Sequence, residues 1–329
     1  MKPATAHRRR LLQCLCILLL ITLPACSAAQ AADPATLPDQ QQLKLYAGDP
    51  PGEPTWEQDG PIPEMTEGKG GRLSFVHEPV LDVYHAKGEN RTGAAVVICP
   101  GGGYGILAYN HEGHEVAQWL NDNGITGVIL RYRMRPYRHP VPMMDVQRAL
   151  RTVRAKADDW ALDADRIGVL GFSAGGHLAS TAATHFAKAD PESEDPVERV
   201  TSRPDFAVLI YPVVTMREWT HGGSKRNLLG PEPADELVAL MSNEEQVDAN
   251  TPPTFLVHSK DDRGVPIKNS EAFLAALKKH NVPGELMVFD TGGHGYGLGR
   301  GRNTPDTPHE SDAWPKRCIE WFGEQGLLD

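Results

Sequence analysis

The stretch Arg166-Ile-Gly-Val-Leu-Gly-Phe-Ser-Ala-Gly-Gly-His177 decides the fold of this chain. It begins with a short apolar run that is typical of a buried strand and continues into small residues that open a helix. Between the two lies Gly171-Phe-Ser-Ala-Gly175, which fits the G-x-S-x-G pattern. In that pattern the serine occupies a strained strand-to-helix turn, and glycines on both sides leave room for it. The stretch therefore predicts Ser173 as a nucleophile, with a helix N-terminus directed at developing negative charge.

On both sides of this stretch, apolar runs alternate with segments of helical periodicity. Strands are predicted at 79–85, 94–100, 125–132, 166–170, 205–211, 254–258 and 284–290, and helices at 111–123, 143–160, 174–186, 268–280 and 311–323. Such alternation indicates an α/β fold in which a mostly parallel central sheet carries helices on both faces. Sites in sheets of this kind form at the carboxyl ends of the strands.

The N-terminal residues have the composition of an export signal. Residues 1–25 join a basic start to an apolar run over 11–23, which is short for a membrane span. We expect residues 26–42 to form a linker and residues 43–329 the folded domain. Leu23-Pro-Ala-Cys26 resembles a bacterial lipobox with Cys26 as the lipidated residue, whereas Ala29-Gln-Ala31 offers ordinary cleavage. Both routes predict an exported protein, which is periplasmic, secreted or anchored to a membrane through that lipid alone.

The charge of the mature chain restricts its partners. Residues 1–25 contain four basic and no acidic residues, so their removal takes the net charge from −10 to −14. A chain this acidic is a poor partner for nucleic acid or for an anionic membrane surface. Beyond Cys26 only Cys99 and Cys318 remain, either as a disulfide or, as we favour, as buried free thiols. No cysteine spacing indicates a metal site, and we expect neither a metal nor a cofactor.

A serine hydroxyl becomes a good nucleophile when a histidine accepts its proton and an acid orients that histidine. Downstream of Ser173, one predicted strand runs into Ser259-Lys-Asp-Asp262 and the next runs into Gly293-His-Gly295. His294 is the candidate base because it follows the last predicted strand among glycines that let the loop bend towards the serine. Asp261 and Asp262 compete for the role of the acid, and the spacing favours Asp262.

A glycine-rich loop upstream of the serine is the candidate oxyanion hole. Gly101-Gly-Gly103 follows a predicted buried strand, where its backbone N–H groups could point at an oxyanion. Together with the N–H of Ala174, those of Gly102 and Gly103 are the expected donors. The loop does not have the G-x-G-x-x-G spacing of a dinucleotide-binding motif.

Four further features have weaker links to the chemistry. His177, one turn beyond the serine, is expected to pack or to form hydrogen bonds. Glu112 could orient the glycine loop, or cap its own helix. The four arginines of residues 131–139 could meet acidic sugars, although a salt-bridged structural loop is favoured. Residues 213–253 are too long for a plain connection, and we expect a lid over the cleft, with a surface elaboration as the alternative.

These residues together resemble the α/β-hydrolase superfamily and, more narrowly, exported bacterial acetyl-xylan esterases and bifunctional deacetylase/feruloyl esterases. The resemblance is carried by Pro100-Gly-Gly-Gly-Tyr104, His111-Glu-Gly113, Leu130-Arg-Tyr-Arg133, Gly171-Phe-Ser-Ala-Gly-Gly-His177, Pro252-Pro-Thr-Phe-Leu-Val-His258 with Asp262 and Pro266, and Gly293-His-Gly295. It implies a catalytic triad of Ser173, Asp262 and His294 that removes acetyl or other short acyl groups from carbohydrate. By the same likeness Gly102, Gly103 and Ala174 form the oxyanion hole.

Two other functions remain as alternatives. The chain is also similar to exported serine peptidases of the prolyl oligopeptidase family, which share the G-x-S-x-G-G motif and a glycine-flanked histidine. Their large propeller domain has no room in the 304 residues left after position 25. A hydrolase relative that binds carbohydrate or a protein partner without catalysis is the second alternative, and an intact serine, aspartate and histidine set argues against it.

Overall fold

A central sheet organises the computed structural model, which describes residues 33–56, 60–299 and 309–328. In these residues the strands are β1 (Gln40–Lys44), β2 (Thr66–Gly68), β3 (Arg72–Ser74), β4 (Val80–Tyr84), β5 (Ala95–Cys99), β6 (Thr126–Arg131), β7 (Ile167–Phe172), β8 (Ala207–Ile210), β9 (Thr254–Ser259) and β10 (Gly284–Phe289). The α-helices are α1 (Glu115–Asp122), α2 (Val141–Ala155), α3 (Ala174–Thr184), α4 (Gly222–Leu229), α5 (Asp235–Leu240), α6 (Lys268–Lys279) and α7 (Trp314–Glu324).

Eight strands form this sheet in the order β1-β4-β6-β5-β7-β8-β9-β10, and β2 pairs with β3 separately. The first three strands in that order pair antiparallel, and the pairs from β6 onwards are parallel. The predicted mostly parallel sheet is therefore confirmed. In the register between β5 and β7, Cys99 is opposite Gly171, so the glycine loop leaves the sheet beside the serine turn.

Side chains of the buried strands alternate between two apolar layers. On β5, Ala95, Val97 and Cys99 pack into the layer that contains α2, α3 and α6. Val96 and Ile98 pack into the opposite layer, which contains α1 and α7. This period-2 alternation places helices on both faces of the sheet. Cys99 and Cys318 are buried free thiols in different layers, so the open question of a disulfide is resolved against it.

The structure corrects the N-terminal boundary of the folded domain. Residues 40–42, which we assigned to a linker, belong to the antiparallel edge strand β1. The sequence Gln40-Gln-Gln-Leu-Lys44 lacks apolar alternation because this edge strand keeps all five side chains partly or fully exposed. Residues 1–25 and Cys26 lie outside the described residues, so the export signal and the lipid anchor stay predictions. Each helix within residues 33–56, 60–299 and 309–328 is too short or too polar to span a bilayer.

Residues 213–253 contain α4, α5 and a 3₁₀ turn at Asn243–Glu245. The sequence did not predict α4, because its polar and glycine residues, Gly222-Gly-Ser-Lys-Arg-Asn227, show no apolar periodicity. Much of the segment packs into the core through Val214, Met216 and Met241. It is thus part of the layer that also holds α2, α3 and α6.

Candidate active site

Ser173 occupies the turn between β7 and α3, with φ 53° and ψ −117°. This is a strained region for a residue with a side chain, and it aims the hydroxyl away from the sheet. The flanking glycines are a steric requirement. A Cβ at Gly171 would lie 2.1 Å from the carbonyl oxygen of Gly175, and a Cβ at Gly175 would lie 2.0 Å from that of Cys99. The serine turn therefore depends on both glycines of the motif.

The three residues predicted as a catalytic set are joined by hydrogen bonds. Nε2 of His294 lies 2.8 Å from Oγ of Ser173, and its Nδ1 lies 2.6 Å from Oδ2 of Asp262. Asp262 follows β9 and His294 follows β10, which pair in parallel and end at the same edge of the sheet. The geometry is that of a serine whose proton can pass to an imidazole held by a carboxylate.

The environment of Asp262 keeps this carboxylate ionised. Burial disfavours the charged form, but hydrogen bonds with His258, His294 and the N–H of Val265 outweigh it and hold the pKa of Asp262 well below its usual range. Oδ1 accepts the N–H groups of Gly264 and Val265, each at 2.8 Å. An ionised Asp262 can therefore stabilise the imidazolium that forms when His294 takes a proton.

Asp261, the competing candidate, has a different contact. Its Oδ1 accepts the N–H of Gly293 at 2.8 Å, and the residue is exposed. The structure thus places Asp262 against His294 and uses Asp261 to hold the loop on which His294 lies. Adjacent positions in the chain point in different directions after a strand end, which separates the two carboxylates.

The predicted oxyanion loop lies beside Ser173. Gly102 has φ 132° and Gly103 has φ 65°, and a Cβ at Gly102 would lie 2.1 Å from the carbonyl oxygen of Ile106. In the described part of the chain, the N–H groups of Gly102 and Gly103 have no protein acceptor. With the N–H of Ala174 at the start of α3, they are available to an oxyanion bound at Ser173.

Glu112 connects this loop to the loop of His294. It lies in a π-helical turn, Asn110–His114, and is 3% exposed. Its Oε2 accepts the N–H of Gly101 at 2.8 Å, and its Oε1 accepts the hydroxyl of Tyr211 at 2.9 Å. The same hydroxyl accepts the N–H of Gly297 at 2.9 Å. Of the two roles considered for Glu112, the structure shows orientation of the glycine loop.

We expect Glu112→Gln to lower kcat/KM for a short acetyl ester by 10- to 100-fold, because small displacements of the oxyanion loop cost catalysis steeply. An amide cannot accept both hydrogen bonds with its two terminal atoms, so either the N–H of Gly101 or the hydroxyl of Tyr211 loses its acceptor. Glu112→Ala removes both acceptors and should cost about 3 kcal/mol of stability. Steady-state kinetics and urea unfolding measure the two effects; wild-type kinetics in a folded Glu112→Gln variant would contradict this role.

His177 is a structural residue, as expected. It is fully buried, with Nδ1 2.9 Å from the hydroxyl of Tyr104 and Nε2 2.8 Å from the carbonyl oxygen of Met241. Because a carbonyl only accepts, the proton of the neutral ring lies on Nε2 and Nδ1 accepts from Tyr104. These bonds tie α3 to the oxyanion loop on one side and to residues 213–253 on the other.

Burial lowers the pKa of His177 to about 4, against the opposing hydrogen bond to Met241. In the unfolded chain an imidazole titrates at about 6.5, so between these two pH values the unfolded state binds more protons. Stability should therefore fall as the pH is lowered from 6.5 towards 4, by up to about 1.4 kcal/mol per pH unit from this residue. Urea unfolding across this range should give a shallower dependence for His177→Gln than for the wild type; equal dependences would contradict the prediction.

The arginines of residues 131–139 include two structural ion pairs. Arg133 and Asp145 are fully buried with an N–O distance of 2.7 Å, and Arg131 pairs with Asp82. Removal of either member of a buried ion pair would leave the other charge buried without a partner, which costs stability. For Arg131 and Arg133 the structural interpretation is therefore confirmed, and neither lines the cleft at Ser173.

A cleft of about 540 Å³ opens at Ser173. Its walls include Gly102, Gly103, His294 and, from residues 213–253, the side chain of His221. Sequence analysis did not single out His221, because one histidine in a polar segment has no distinguishing pattern. It is the cleft residue that connects the long insertion to the candidate catalytic set in the described part of the chain.

Comparisons with known proteins complete the description of the site. The BD-FAE family model matches residues 81–277. Endo-1,4-beta-xylanase B of Butyrivibrio fibrisolvens is 36% identical over 207 residues, which cover 61% of this chain and 32% of that protein. Acetylxylan esterase of Xylanibacter ruminicola is 35% identical over 216 residues, which cover 64% and 42%. The chain therefore spans less than half the length of these two relatives.

A solved structure matches over a larger share. The acetyl ester-xyloside bifunctional hydrolase from Caldicellulosiruptor lactoaceticus is 43% identical, with a TM-score of 0.73, and the match covers 86% of this chain and all of the other. A carboxylesterase from Lactobacillus plantarum matches at 21% identity with a TM-score of 0.64, which shows the similarity of fold alone.

Proposed function

The chain belongs to the BD-FAE family and has the α/β-hydrolase fold, and on that premise we propose that it is a serine ester hydrolase that removes acetyl or other short acyl groups from carbohydrate. The observation that carries the proposal is the connected set of Ser173, His294 and Asp262, with distances of 2.8 and 2.6 Å. Beside it, the free N–H groups of the glycine loop supply the donors that an acyl-transfer reaction needs.

In the proposed reaction, Ser173 attacks the ester carbonyl carbon while Nε2 of His294 accepts the hydroxyl proton. The carbonyl oxygen becomes an oxyanion, which receives hydrogen bonds from Gly102, Gly103 and Ala174. When the tetrahedral intermediate collapses, the ester C–O bond breaks and His294 gives its proton to the leaving alcohol. Water then repeats the sequence on the acyl-enzyme, with His294 as its base, and releases the acid.

Glycoside hydrolysis is suggested by the names of the Butyrivibrio xylanase and the Caldicellulosiruptor hydrolase, but it has less support than ester hydrolysis. It requires a pair of carboxyl groups placed on either side of a glycosidic bond. Of the carboxylates described along the cleft, Glu112 accepts two hydrogen bonds from the protein, and Glu115 accepts one from Asn110. The xylanase match also covers only 32% of that protein, so its name does not assign glycoside hydrolysis to the matched part.

The proposal is tested by a substrate screen with purified protein. We expect turnover of p-nitrophenyl acetate that declines as the acyl chain lengthens, together with acetate release from acetylated xylan. An aminoacyl-proline amide should not be cleaved. Its cleavage without ester turnover would support the peptidase alternative. A folded protein that hydrolyses none of these compounds would contradict the proposal and favour a binding function.

A further inference from the structure

His221 lies at the edge of the cleft, where it begins α4. It is the N-cap residue of α4, with φ −74° and ψ 108°. The helix is fixed to the oxyanion loop, because Nδ2 of Asn227 donates to the carbonyl oxygen of Gly103 at 2.8 Å. A second bond, from the N–H of His139 to the carbonyl oxygen of Leu228 at 2.9 Å, holds the same C-terminal end of α4, while the cap described next holds its N-terminal end. The imidazole thus has a defined position relative to the candidate oxyanion hole.

The cap determines which ring nitrogen of His221 carries the proton. The backbone N–H of Ser224 donates to Nδ1 at 3.2 Å, and Oγ of the buried Ser224 lies 2.9 Å from the same atom. A backbone N–H can only donate, so Nδ1 must present its lone pair and the proton of the neutral ring must be on Nε2. Burial, with the charges of His294 and Arg226, lowers the pKa of His221 and so favours the neutral ring.

The Nε2–H group is therefore a donor without a protein partner in the described residues, on a side chain that lines the cleft. The ring lies next to Gly103, with its Cε1 3.6 Å from where a Cβ of that residue would be. His294 lines the same cleft. His221 accordingly lies beside the oxyanion loop and shares the cleft with the proposed base.

The position indicates which part of an ester meets this donor. The leaving alcohol oxygen must lie against His294, which returns a proton to it, and the carbonyl oxygen must lie against the glycine loop. An acetyl group fills a small part of a cleft of about 540 Å³, so most of that space receives the alcohol. A donor that lines the same cleft as His294 is consequently placed to meet oxygen atoms of the alcohol.

We propose that His221 is a specificity-determining residue whose Nε2–H donates a hydrogen bond to a free hydroxyl of a polyhydroxylated alcohol, on the carbon next to the ester. This inference rests on the proposed function and deepens it, since it names the alcohol as a sugar with a free vicinal hydroxyl. A single fixed donor of this kind raises kcat/KM for an ester that carries the hydroxyl and has no such effect on an ester without it.

The test uses three esters and two variants of the full chain. The esters are methyl 2-O-acetyl-xyloside, its 3-deoxy analogue and p-nitrophenyl acetate. His221→Asn preserves a side-chain acceptor for the N–H of Ser224 but has no donor at the position of Nε2. Ser224→Ala is the matched control, because it removes a hydroxyl contact of Nδ1 and keeps both the backbone cap and the imidazole.

We expect the wild type to prefer the xyloside over its deoxy analogue by about 10-fold in kcat/KM, the value of one hydrogen bond of about 1.4 kcal/mol. His221→Asn should abolish this preference and lower the ratio of xyloside to p-nitrophenyl acetate turnover by the same factor, whereas Ser224→Ala should keep both ratios. Equal losses of His221→Asn on all three esters would overturn the inference and indicate a donor to the oxyanion.

Unchanged ratios in His221→Asn would also overturn it. Should that variant fail to fold, the wild type still tests the inference. Equal turnover of the xyloside and its deoxy analogue would show that the free hydroxyl receives no useful hydrogen bond from His221. A wild type that hydrolyses none of the three esters contradicts the proposed function itself. A wild type that hydrolyses all of them without preference contradicts only the role of His221.

Discussion

Ser173→Ala is expected to lower kcat for p-nitrophenyl acetate by about 10⁵-fold, to the level supported by the oxyanion hole and binding alone. In the described residues, Ser173 supplies the hydroxyl within hydrogen-bond distance of Nε2 of His294, and no second hydroxyl there can replace it as the nucleophile. Alanine also fits the strained turn, because its side chain is smaller than that of serine. Steady-state kinetics at a fixed pH gives the ratio.

The control for this variant is a serine on the same helix. Ser180→Ala removes a buried hydroxyl that donates to the carbonyl oxygen of His177, and it should cost about 1 kcal/mol of stability while activity persists. A fluorophosphonate probe should label the wild type and Ser180→Ala, and it should not label Ser173→Ala. Normal turnover by folded Ser173→Ala would refute the proposed mechanism.

Asp262→Asn is expected to lower kcat by about 10⁴-fold, because it reverses the tautomer of His294. The N–H groups of Gly264 and Val265 need the remaining side-chain oxygen as their acceptor. The amide NH₂ therefore faces Nδ1 of His294, which must accept. The ring proton moves to Nε2, where it blocks the transfer from Ser173.

Asp261→Asn is the matched control for this second variant. An asparagine keeps the oxygen that accepts the N–H of Gly293, so the loop of His294 holds its position and activity should change little. Parallel kinetic measurements on the two variants compare the same chemical change at neighbouring positions. Similar activities in both would rule out the assigned acid.

Features that depend on the local backbone could be predicted from the sequence. Gly171 and Gly175 are needed where a Cβ would collide with the backbone, so the motif itself announces the turn at Ser173. The buried strands β5 to β9 are short apolar runs, and their order along the chain predicted a mostly parallel sheet. Because parallel strands end at one edge, the order of Ser173, the Asp261-Asp262 pair and His294 along the chain predicted that they lie close together.

Edge and insertion elements were harder to predict. The strand β1 presents polar side chains because one of its sides is solvent, and α4 has a polar and glycine-rich sequence. Neither has the apolar periodicity on which such predictions depend, because packing against existing elements stabilises them more than their own propensity does.

The sequence by itself determined the turn, the sheet and the candidate catalytic residues, since each follows from local sterics or from strand order. Only the tertiary structure decided that Asp262 rather than Asp261 faces His294, that Glu112 joins two loops through Tyr211, and that His221 enters the cleft. These contacts join residues far apart in the chain, and the direction of a side chain after a strand end or at a helix cap depends on what packs around it. A pattern of residue types carries no record of that packing.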